Sequence, residues 1–145
     1  MQHLCRLTIC LLSIVLASCS LVSKKQTSDP SEQYSSERQK METEAQKRLS
    51  QARQQLETKQ FDKAKNTIKA MRKECYLALT AREEGILLMD SIELRVAQNN
   101  LMHVDSLLQK GHSEAEQEFQ KACQKVQFFE RKLTYDKKSI EQKHK

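Results

Sequence analysis

Apolar residues recur at intervals of three and four along two neighbouring stretches of the chain, which is the spacing of one face of an α-helix. The first stripe consists of Met41, Ala45, Leu49, Ala52 and Leu56. The second consists of Phe61, Ala64, Ile68, Met71 and Cys75. Only the polar run 57–60 separates the two stripes. A break this short predicts two helices that fold back on each other as an antiparallel hairpin.

A longer pair of stripes predicts a second hairpin. The third stripe has leucines every seven residues, as in a coiled-coil seam, and consists of Leu87, Leu94, Ala97, Leu101, Val104 and Leu108. The fourth consists of Ala115, Phe119, Ala122, Val126, Phe129 and Leu133. The short turn 110–112 joins helices predicted over 81–109 and 113–138. The whole pattern predicts an all-α fold of two consecutive antiparallel helical hairpins forming an elongated bundle.

Local signals place the ends of these predicted helices. The spacing of a capping box occurs three times, at Ser36 and Gln39, Thr80 and Glu83, and Ser113 and Glu116. Gly111 supplies the left-handed conformation that often ends a helix. Gly85 lies inside the third helix, where glycine costs about 1 kcal/mol against alanine, and it predicts the close approach of another helix. We therefore expect a helical domain at 37–138 and a frayed polar tail at 139–145.

The segment before this domain has the pattern of a secretory signal. Residues 1–6 carry one basic residue, Arg6, and no acid, and an apolar run over 7–17 follows. The run is too short for a membrane span, which needs about 20 apolar residues. Small residues then precede a cysteine, as at a signal cleavage site. Residues 1–18 are predicted to be a signal peptide, and the Ser/Thr-rich segment 19–36 a disordered tether.

The residues at this cleavage site, Leu16, Ala17, Ser18 and Cys19, resemble the lipobox of bacterial lipoproteins. The resemblance implies that Cys19 becomes the first residue of the mature chain and carries acyl chains, such as palmitate, that anchor it in a membrane. Ser20 stands where an inner-membrane retention signal would have Asp, which favours the outer membrane, facing the periplasm. The alternative is an ordinary cleaved signal peptide with a chance cysteine.

The first predicted hairpin resembles a single tetratricopeptide repeat. The matching positions around the turn between the helices are Ala52, Leu56, Phe61, Ala64 and Ile68. The departures are Gln60 in place of the turn glycine, Tyr76 in place of the closing proline and Arg48 in place of the first-helix Trp. No second copy follows at the period of that repeat. The resemblance implies a scaffold for protein docking.

The charge of the chain bears on its partners. Lys and Arg total 25 and Asp and Glu total 19, a formal net charge of +6, and losing Arg6 with the signal peptide leaves 6 − 1 = +5. The excess favours anionic headgroups or acidic partner surfaces. It is interleaved with acids along the helices, as on solvated faces, and we expect no nucleic-acid binding from an exported protein.

Few residues have the spacing of a catalytic or metal site. Of five cysteines, Cys75 and Cys123 remain after Cys19, and they are either packing residues or a disulfide pair. The acidic group formed by Glu83, Glu84, Asp90 and Glu93 is interpreted as a solvated helix face with salt bridges. His103 and His112 lack the spacing of two ligands on one helix face. We expect no catalysis, metal, cofactor or small-molecule substrate.

The aromatic residues are the remaining candidates for a functional surface. Phe128 lies beside the apolar stripe of the fourth helix, and with Tyr76 and Tyr135 it forms the predicted set of partner-binding residues. The alternative for these residues is packing inside the bundle. We expect a non-catalytic, membrane-anchored envelope lipoprotein that docks another protein, or a second copy of itself, through helix faces. The alternative function is binding of an anionic envelope polymer or lipid through basic helix faces.

Overall fold

The computed structural model describes residues 30–145, with side chains described from Tyr34 onward. These residues form helices α1 (Pro30–Glu57), α2 (Phe61–Glu74), α3 (Leu79–Gln109) and α4 (Glu116–Lys143), with a 3-10 turn at Ser113–Ala115. The predicted all-α fold is confirmed for this part of the chain. The predicted signal peptide, Cys19 and the predicted tether up to residue 29 lie outside the described residues. No helix within 30–145 is long and apolar enough to cross a membrane.

Helix α1 begins before the predicted start of the helical domain. Residues 30–36, assigned to the tether by the sequence pattern, are already helical, and the predicted capping box at Ser36 and Gln39 therefore lies inside the helix. Pro30 is tolerated in the first turn because a helix has no partner for an N–H there. Residues 34–40 are all exposed, so the apolar periodicity could not indicate this first part of α1.

Helices α1, α2 and the first half of α3 enclose one apolar core, the three-helix core. It consists of Ala45, Leu49, Ala52, Ala64, Ile68, Met71, Cys75, Ala78, Ala81, Leu88 and Ile92. Its largest fully buried side chains are Leu49, Ile68, Met71 and Ile92. The first two predicted stripes supply most of these residues, so the predicted first hairpin is confirmed.

Contacts with α3 show how it lies against the first hairpin. Glu42 of α1 bonds Ala81 near the start of α3, and Lys65 near the start of α2 bonds Glu93 farther along α3. Helix α3 therefore runs antiparallel to α2 and in the same direction as α1. A Cβ on Gly85 would lie 2.8 Å from Met71 Cε and 3.7 Å from a methyl group of the α1 core residue Leu49. The predicted close approach of a helix at Gly85 is confirmed.

Helices α3 and α4 pack along each other as the second predicted hairpin, here called the α3–α4 seam. Its buried apolar residues are small: Ala97, Val104, Ala115 and Ala122. The leucines at seven-residue spacing, Leu87, Leu94, Leu101 and Leu108, are only half-buried. A seam between two helices covers these side chains less completely than a core between three.

Two of the predicted helix caps are wrong for helices α3 and α4. The residue before α3 is Ala78, and it makes no side-chain cap. Instead Glu42 Oε1 accepts a hydrogen bond from the Ala81 N–H at 2.7 Å, so the first turn of α3 is capped from α1. Ser113 begins the 3-10 turn, which His112 precedes without a side-chain cap. The predicted role of Gly111 at the end of α3 is confirmed by its φ of +89°.

The predicted frayed tail at 139–145 is also wrong, because α4 continues to Lys143. Ser139 and Ile140 are half-buried, and Ile140 continues the three–four spacing of the fourth stripe through Asp136. Beyond the helix, His144 Nε2 lies 2.7 Å from Glu83 Oε2 on α3. The end of α4 is therefore held against the beginning of α3.

Candidate docking surface

Helix α4 turns its apolar stripe toward α3 and exposes a different set of residues outside that stripe, of which Lys121 and Lys125 border the α3 side. The exposed set follows helical spacing of three and four and consists of Lys121, Lys125, Phe128, Arg131, Tyr135 and Lys138. We call it the basic–aromatic face. It contains two of the three predicted partner-binding residues, which lie seven residues apart. Two helical turns separate them, so both rings lie on one side of α4.

The ring of Phe128 is exposed, although a neighbouring ring restricts it. Phe128 is 55% exposed, and its centroid lies 5.2 Å from that of Phe129 in an edge-to-face arrangement with an interplanar angle of 76°. Phe129 is half-buried in the α3–α4 seam. Edge-to-face pairs add about 0.5–1.5 kcal/mol beyond the area that they bury. The outer ring is therefore oriented by the seam while most of its surface remains available.

Tyr135 is the most exposed large hydrophobic residue of the described chain, at 72%. It lines a shallow groove of about 310 Å³ with Glu130, Arg131, Thr134 and Lys138. The apolar stems of Arg131 and Lys138 can flank the ring of Tyr135 while their charged ends stay in water. This groove is open to an apolar side chain beside the ring of Tyr135.

The charge of this surface is positive. Between residues 121 and 138 the chain has six basic residues and two acids, which gives 6 − 2 = +4. One of the basic residues, Lys132, and one of the acids, Asp136, form an ion pair at 2.8 Å next to the seam. The other basic residues are exposed. No carboxylate within residues 34–145 forms a salt bridge with any basic residue of the basic–aromatic face.

The third predicted partner-binding residue, Tyr76, lies elsewhere. It is 55% exposed in the connection between α2 and α3, and Leu79 nearby is equally exposed. The structure therefore does not place Tyr76 on the basic–aromatic face. Met102 on α3 is 63% exposed and borders a groove of about 280 Å³ at the α1–α2 turn. The sequence interpretation did not single out Leu79 or Met102, since both fall among apolar residues that a helix normally buries.

Asp90 is the clearest correction to the sequence interpretation. The sequence pattern predicts a solvated helix face for this residue, whereas it is only 3% exposed and lies in the α3–α4 seam. Lys132 Nζ lies 2.5 Å from Asp90 Oδ1 and 2.8 Å from Asp136 Oδ2, while the other carboxylate oxygen of Asp90 has no partner within the described residues. We call these three residues the seam triad. Asp90 precedes Ala97 by seven residues, and this heptad register was the available signal.

Burial and the contacts within the seam triad shift the pKa values of all three residues. Burial raises the pKa of Asp90, against the lowering effect of Lys132. The hydrogen bond from Lys132 lowers the pKa of Asp136, and the hydrogen bonds to both carboxylates raise the pKa of Lys132. Two carboxylates beside a lysine are residue types that also occur in acid–base catalytic sites. Here, however, the Asp90 carboxylate is enclosed between the packed helices α3 and α4. The arrangement acts as a polar clamp between α3 and α4.

The other members of the acidic group make structural contacts. Glu84 accepts hydrogen bonds from Gln46 at 2.9 Å and Arg53 at 2.7 Å, which ties α3 to α1. Glu93 pairs with Lys65 of α2 at 3.1 Å. The salt bridges expected for this group are therefore present, although they hold helices together and do not lie on a free face. Within the described residues, no three His, Cys, Asp or Glu side chains form a cluster that could hold a metal ion.

The two cysteines of the helical domain are free thiols. Cys75 is buried in the three-helix core, while Cys123 is half-buried on α4. Burial raises the pKa of the Cys75 thiol, which keeps this residue in the un-ionised, unreactive form. Of the two alternatives, the structure supports packing and not a disulfide.

Comparison with known proteins gives no relationship: no family model matches the chain, and neither the curated proteins nor the solved structures contain a match.

Proposed function

We propose that this chain is a lipid-anchored, non-catalytic module of the bacterial envelope that docks another protein through the basic–aromatic face of α4. The anchor would be lipid on Cys19, in the outer membrane and facing the periplasm. The lipobox-like sequence at Leu16 to Cys19 supports this part of the proposal. The observation that carries the docking part is the exposure of Phe128 and Tyr135 together on one positively charged side of the bundle.

A docking role agrees with the energetic character of this surface. Aromatic and arginine side chains are the residue types that most often dominate the binding energy of protein interfaces, and the basic–aromatic face contains both. The helix that bears it is held at both ends, by the turn at Gly111 and by the contact of His144 with Glu83. A surface that is already ordered loses little conformational entropy when a partner binds.

A non-catalytic role is supported by the hydrogen bonds and salt bridges that the acidic residues make within the bundle. Each residue of the acidic group bonds a basic or polar side chain outside α3, so its position is explained by packing. Asp90, the buried member, faces Lys132 and Asp136 in the seam. We therefore propose no substrate, cofactor or metal for this module.

The anchor is tested by lipid labelling of the native chain and a Cys19→Ala variant in a bacterial host, followed by membrane fractionation. We expect the native chain to incorporate labelled palmitate and to sediment with the outer membrane, because acylated Cys19 would hold it there. The variant should lose both properties. A native chain that is unlabelled and free of membranes contradicts the proposed anchor.

The docking surface is tested by placing a photo-crosslinking phenylalanine analogue at position 128 in cells. The same analogue at position 34 is the matched control, since Tyr34 is 57% exposed on α1, on a different helix. We expect a discrete protein adduct from position 128 that position 34 does not give. Equal adducts from the two positions would contradict docking through α4.

The positive charge of the same face favours a second candidate, the binding of an anionic envelope polymer or lipid. Such binding is mainly electrostatic and falls strongly with salt, whereas a protein interface with aromatic anchors retains part of its affinity. Sedimentation of the purified chain with envelope polymer or lipid vesicles, at low and high salt, distinguishes the two candidates. Binding that depends on charge alone, without Phe128 and Tyr135, favours the second.

A further inference from the structure

We infer that the partner of the basic–aromatic face is a single acidic amphipathic helix with apolar residues at seven-residue spacing. The inference rests on the proposed function and names the chemistry of its partner. Helix α4 would then have one helix on each side: α3 on the apolar stripe and the partner on the face that bears Phe128 and Tyr135. The following observations on spacing, charge and shape lead to this occupant.

The spacing of the two rings matches the repeat of a helix. Phe128 and Tyr135 are seven residues apart, or about 10.5 Å along the axis at 1.5 Å per residue. A helix that lies along α4 presents one apolar side chain every seven residues at the same interval. One of its anchors would pack on Phe128, and the next would enter the groove of about 310 Å³ beside Tyr135.

The charge around these anchors requires acids on the partner. Lys121 and Lys125 lie on one side of the ring pair, Arg131 lies between the rings, and Lys138 follows Tyr135. Some basic residues of the other helices are paired, as Arg53 with Glu84 is at 2.7 Å, whereas others, such as Lys63 and Lys69 on α2, form no salt bridge within residues 34–145. The four basic residues of the face have no such salt bridge within residues 34–145. Glutamates that flank the apolar seam of a partner helix would neutralise them, as flanking charges do between coiled-coil helices.

The narrowness of the apolar part disfavours a membrane as the occupant. A helix that lies in a bilayer interface buries a broad apolar face, at least about 100° wide. The broad apolar stripe of α4 is already packed on α3, where Ala122 is buried. The opposite side offers only two rings with Arg131 between them, which suits a row of single side chains from another helix.

The test uses the purified chain of residues 20–145, which retains every buried apolar residue of the described part of the chain, since these begin at Ala45. The probe is a fluorescent, alanine-rich peptide of three heptads with leucine at each a position and glutamate at each e and g position. The control peptide has the same composition, with its leucines at five-residue spacing. We expect saturable binding of the first peptide and binding at least about tenfold weaker for the second.

Matched variants locate the binding on α4. Phe128→Ser with Tyr135→Ser should weaken binding by about tenfold or more, while Tyr34→Ser should leave it unchanged. Arg131→Glu with Lys138→Glu should abolish binding, while the equally exposed pair Lys63→Glu with Lys69→Glu on α2 should have a far smaller effect. Helical circular dichroism of each variant verifies that it is folded.

Two results would overturn the inference. One is equal binding of the two peptides, or binding that the paired serine substitutions leave unchanged. The other is a lack of peptide binding combined with Phe128-dependent binding to phosphatidylglycerol vesicles, which would identify the occupant as a membrane. Neither result concerns labelling at Cys19 or the protein adduct from position 128, so failure of this inference is distinct from failure of the proposed function.

Discussion

The three-helix core and the α3–α4 seam are built from one shared helix and yet differ in how they bury it. In the three-helix core, neighbours on two sides enclose large side chains, and Leu49, Ile68, Met71 and Ile92 are fully buried. In the α3–α4 seam the buried apolar residues are alanine and valine, and the leucines stay half-buried. Burying one large aliphatic side chain contributes about 1.5–3 kcal/mol, so the first region contains most of the hydrophobic stabilisation.

The seam replaces part of that hydrophobic contribution with charge. A buried ion pair is weak evidence for stability, because the desolvation of its charges offsets their attraction. It is better suited to fixing one alignment of two helices, since a displaced α4 would leave Asp90 without Lys132. The comparison therefore separates a region that supplies stability from a region that specifies register and carries the proposed docking surface.

The largest effect should come from the three-helix core. Leu49→Ala removes a fully buried side chain from between three helices and should lower the free energy of unfolding by about 3 kcal/mol. Leu101→Ala in the seam, where the side chain is half-buried, should cost about 1 kcal/mol. Urea denaturation followed by circular dichroism measures both. Equal losses would mean that the two regions are not different in packing.

The next effect should come from the seam triad. Lys132→Met leaves the Asp90 carboxylate buried without its partner and should destabilise the protein by about 2 kcal/mol, less than for a fully buried pair because Lys132 is 40% exposed. Lys125→Met is the matched control, since that residue has no salt bridge within residues 34–145. Adding Asp90→Leu to Lys132→Met should restore most of the loss. If it does not, the cost of Lys132→Met arises from something other than the unpaired charge.

A smaller effect should come from the cap that α1 supplies to α3. Glu42→Ala removes the acceptor of the Ala81 N–H and should cost about 1 kcal/mol, the usual value for a lost helix cap. Thr80→Ala removes the side chain that the sequence pattern assigned to this role and should have almost no effect. Thermal unfolding of the two variants compares them directly. A larger loss for Thr80→Ala would show that the cap is local after all.

The smallest effect should be the dependence of seam stability on pH. Burial raises the pKa of Asp90 in the folded state above its ordinary value of 3.8, so its favourable contribution is present below that value and is lost as the pH rises through the folded pKa. The pKa of Asp136 is lowered, so its contribution is present above 3.8 and is lost as the pH falls. Relative to Asp90→Asn, the native protein should therefore become less stable from pH 4 to pH 7.

The same measurement on Asp136→Asn should show the opposite sign, and over a lower range. Relative to that variant, the native protein should gain stability as the pH rises from about 2 toward 4, because the ionised Asp136 carboxylate is stabilised by Lys132. Denaturant midpoints at several pH values give both curves. Curves of the same sign would contradict the assignment of Asp90 as the desolvated carboxylate of the pair.

The features that could be predicted from the sequence are those that depend on neighbours along the chain. Apolar spacing located the four helices of residues 30–145, and the φ of Gly111 follows from its place after a helix. The features that could not be predicted depend on residues far apart in sequence. The cap of α3 comes from Glu42, 39 positions before Ala81, and the burial of Asp90 depends on Lys132, 42 positions later.

The residues of the candidate site also differ in whether their positions could be predicted from the sequence. Phe128 and Tyr135 fall outside the apolar stripe of α4, so their position in the sequence already indicated that they could be exposed on a common side. Tyr76 lies in a connection between helices, where periodicity says nothing about direction. The sequence pattern places the start of α1 too late because residues 34–40 are all exposed and show no apolar periodicity. Pro30 gives no warning either, since proline is acceptable in the first turn of a helix.

The continuity of α3 also has a consequence for the order in which the chain assembles. This helix extends for 31 residues without interruption, and its first half completes the three-helix core. Synthesis begins at the N-terminus. The growing chain would therefore contain every residue of that core once Ile92 had been added, before any part of α4 had been made. The three-helix core would then fold first and position α3, and α4 would pack against α3 last, starting from the Gly111 turn.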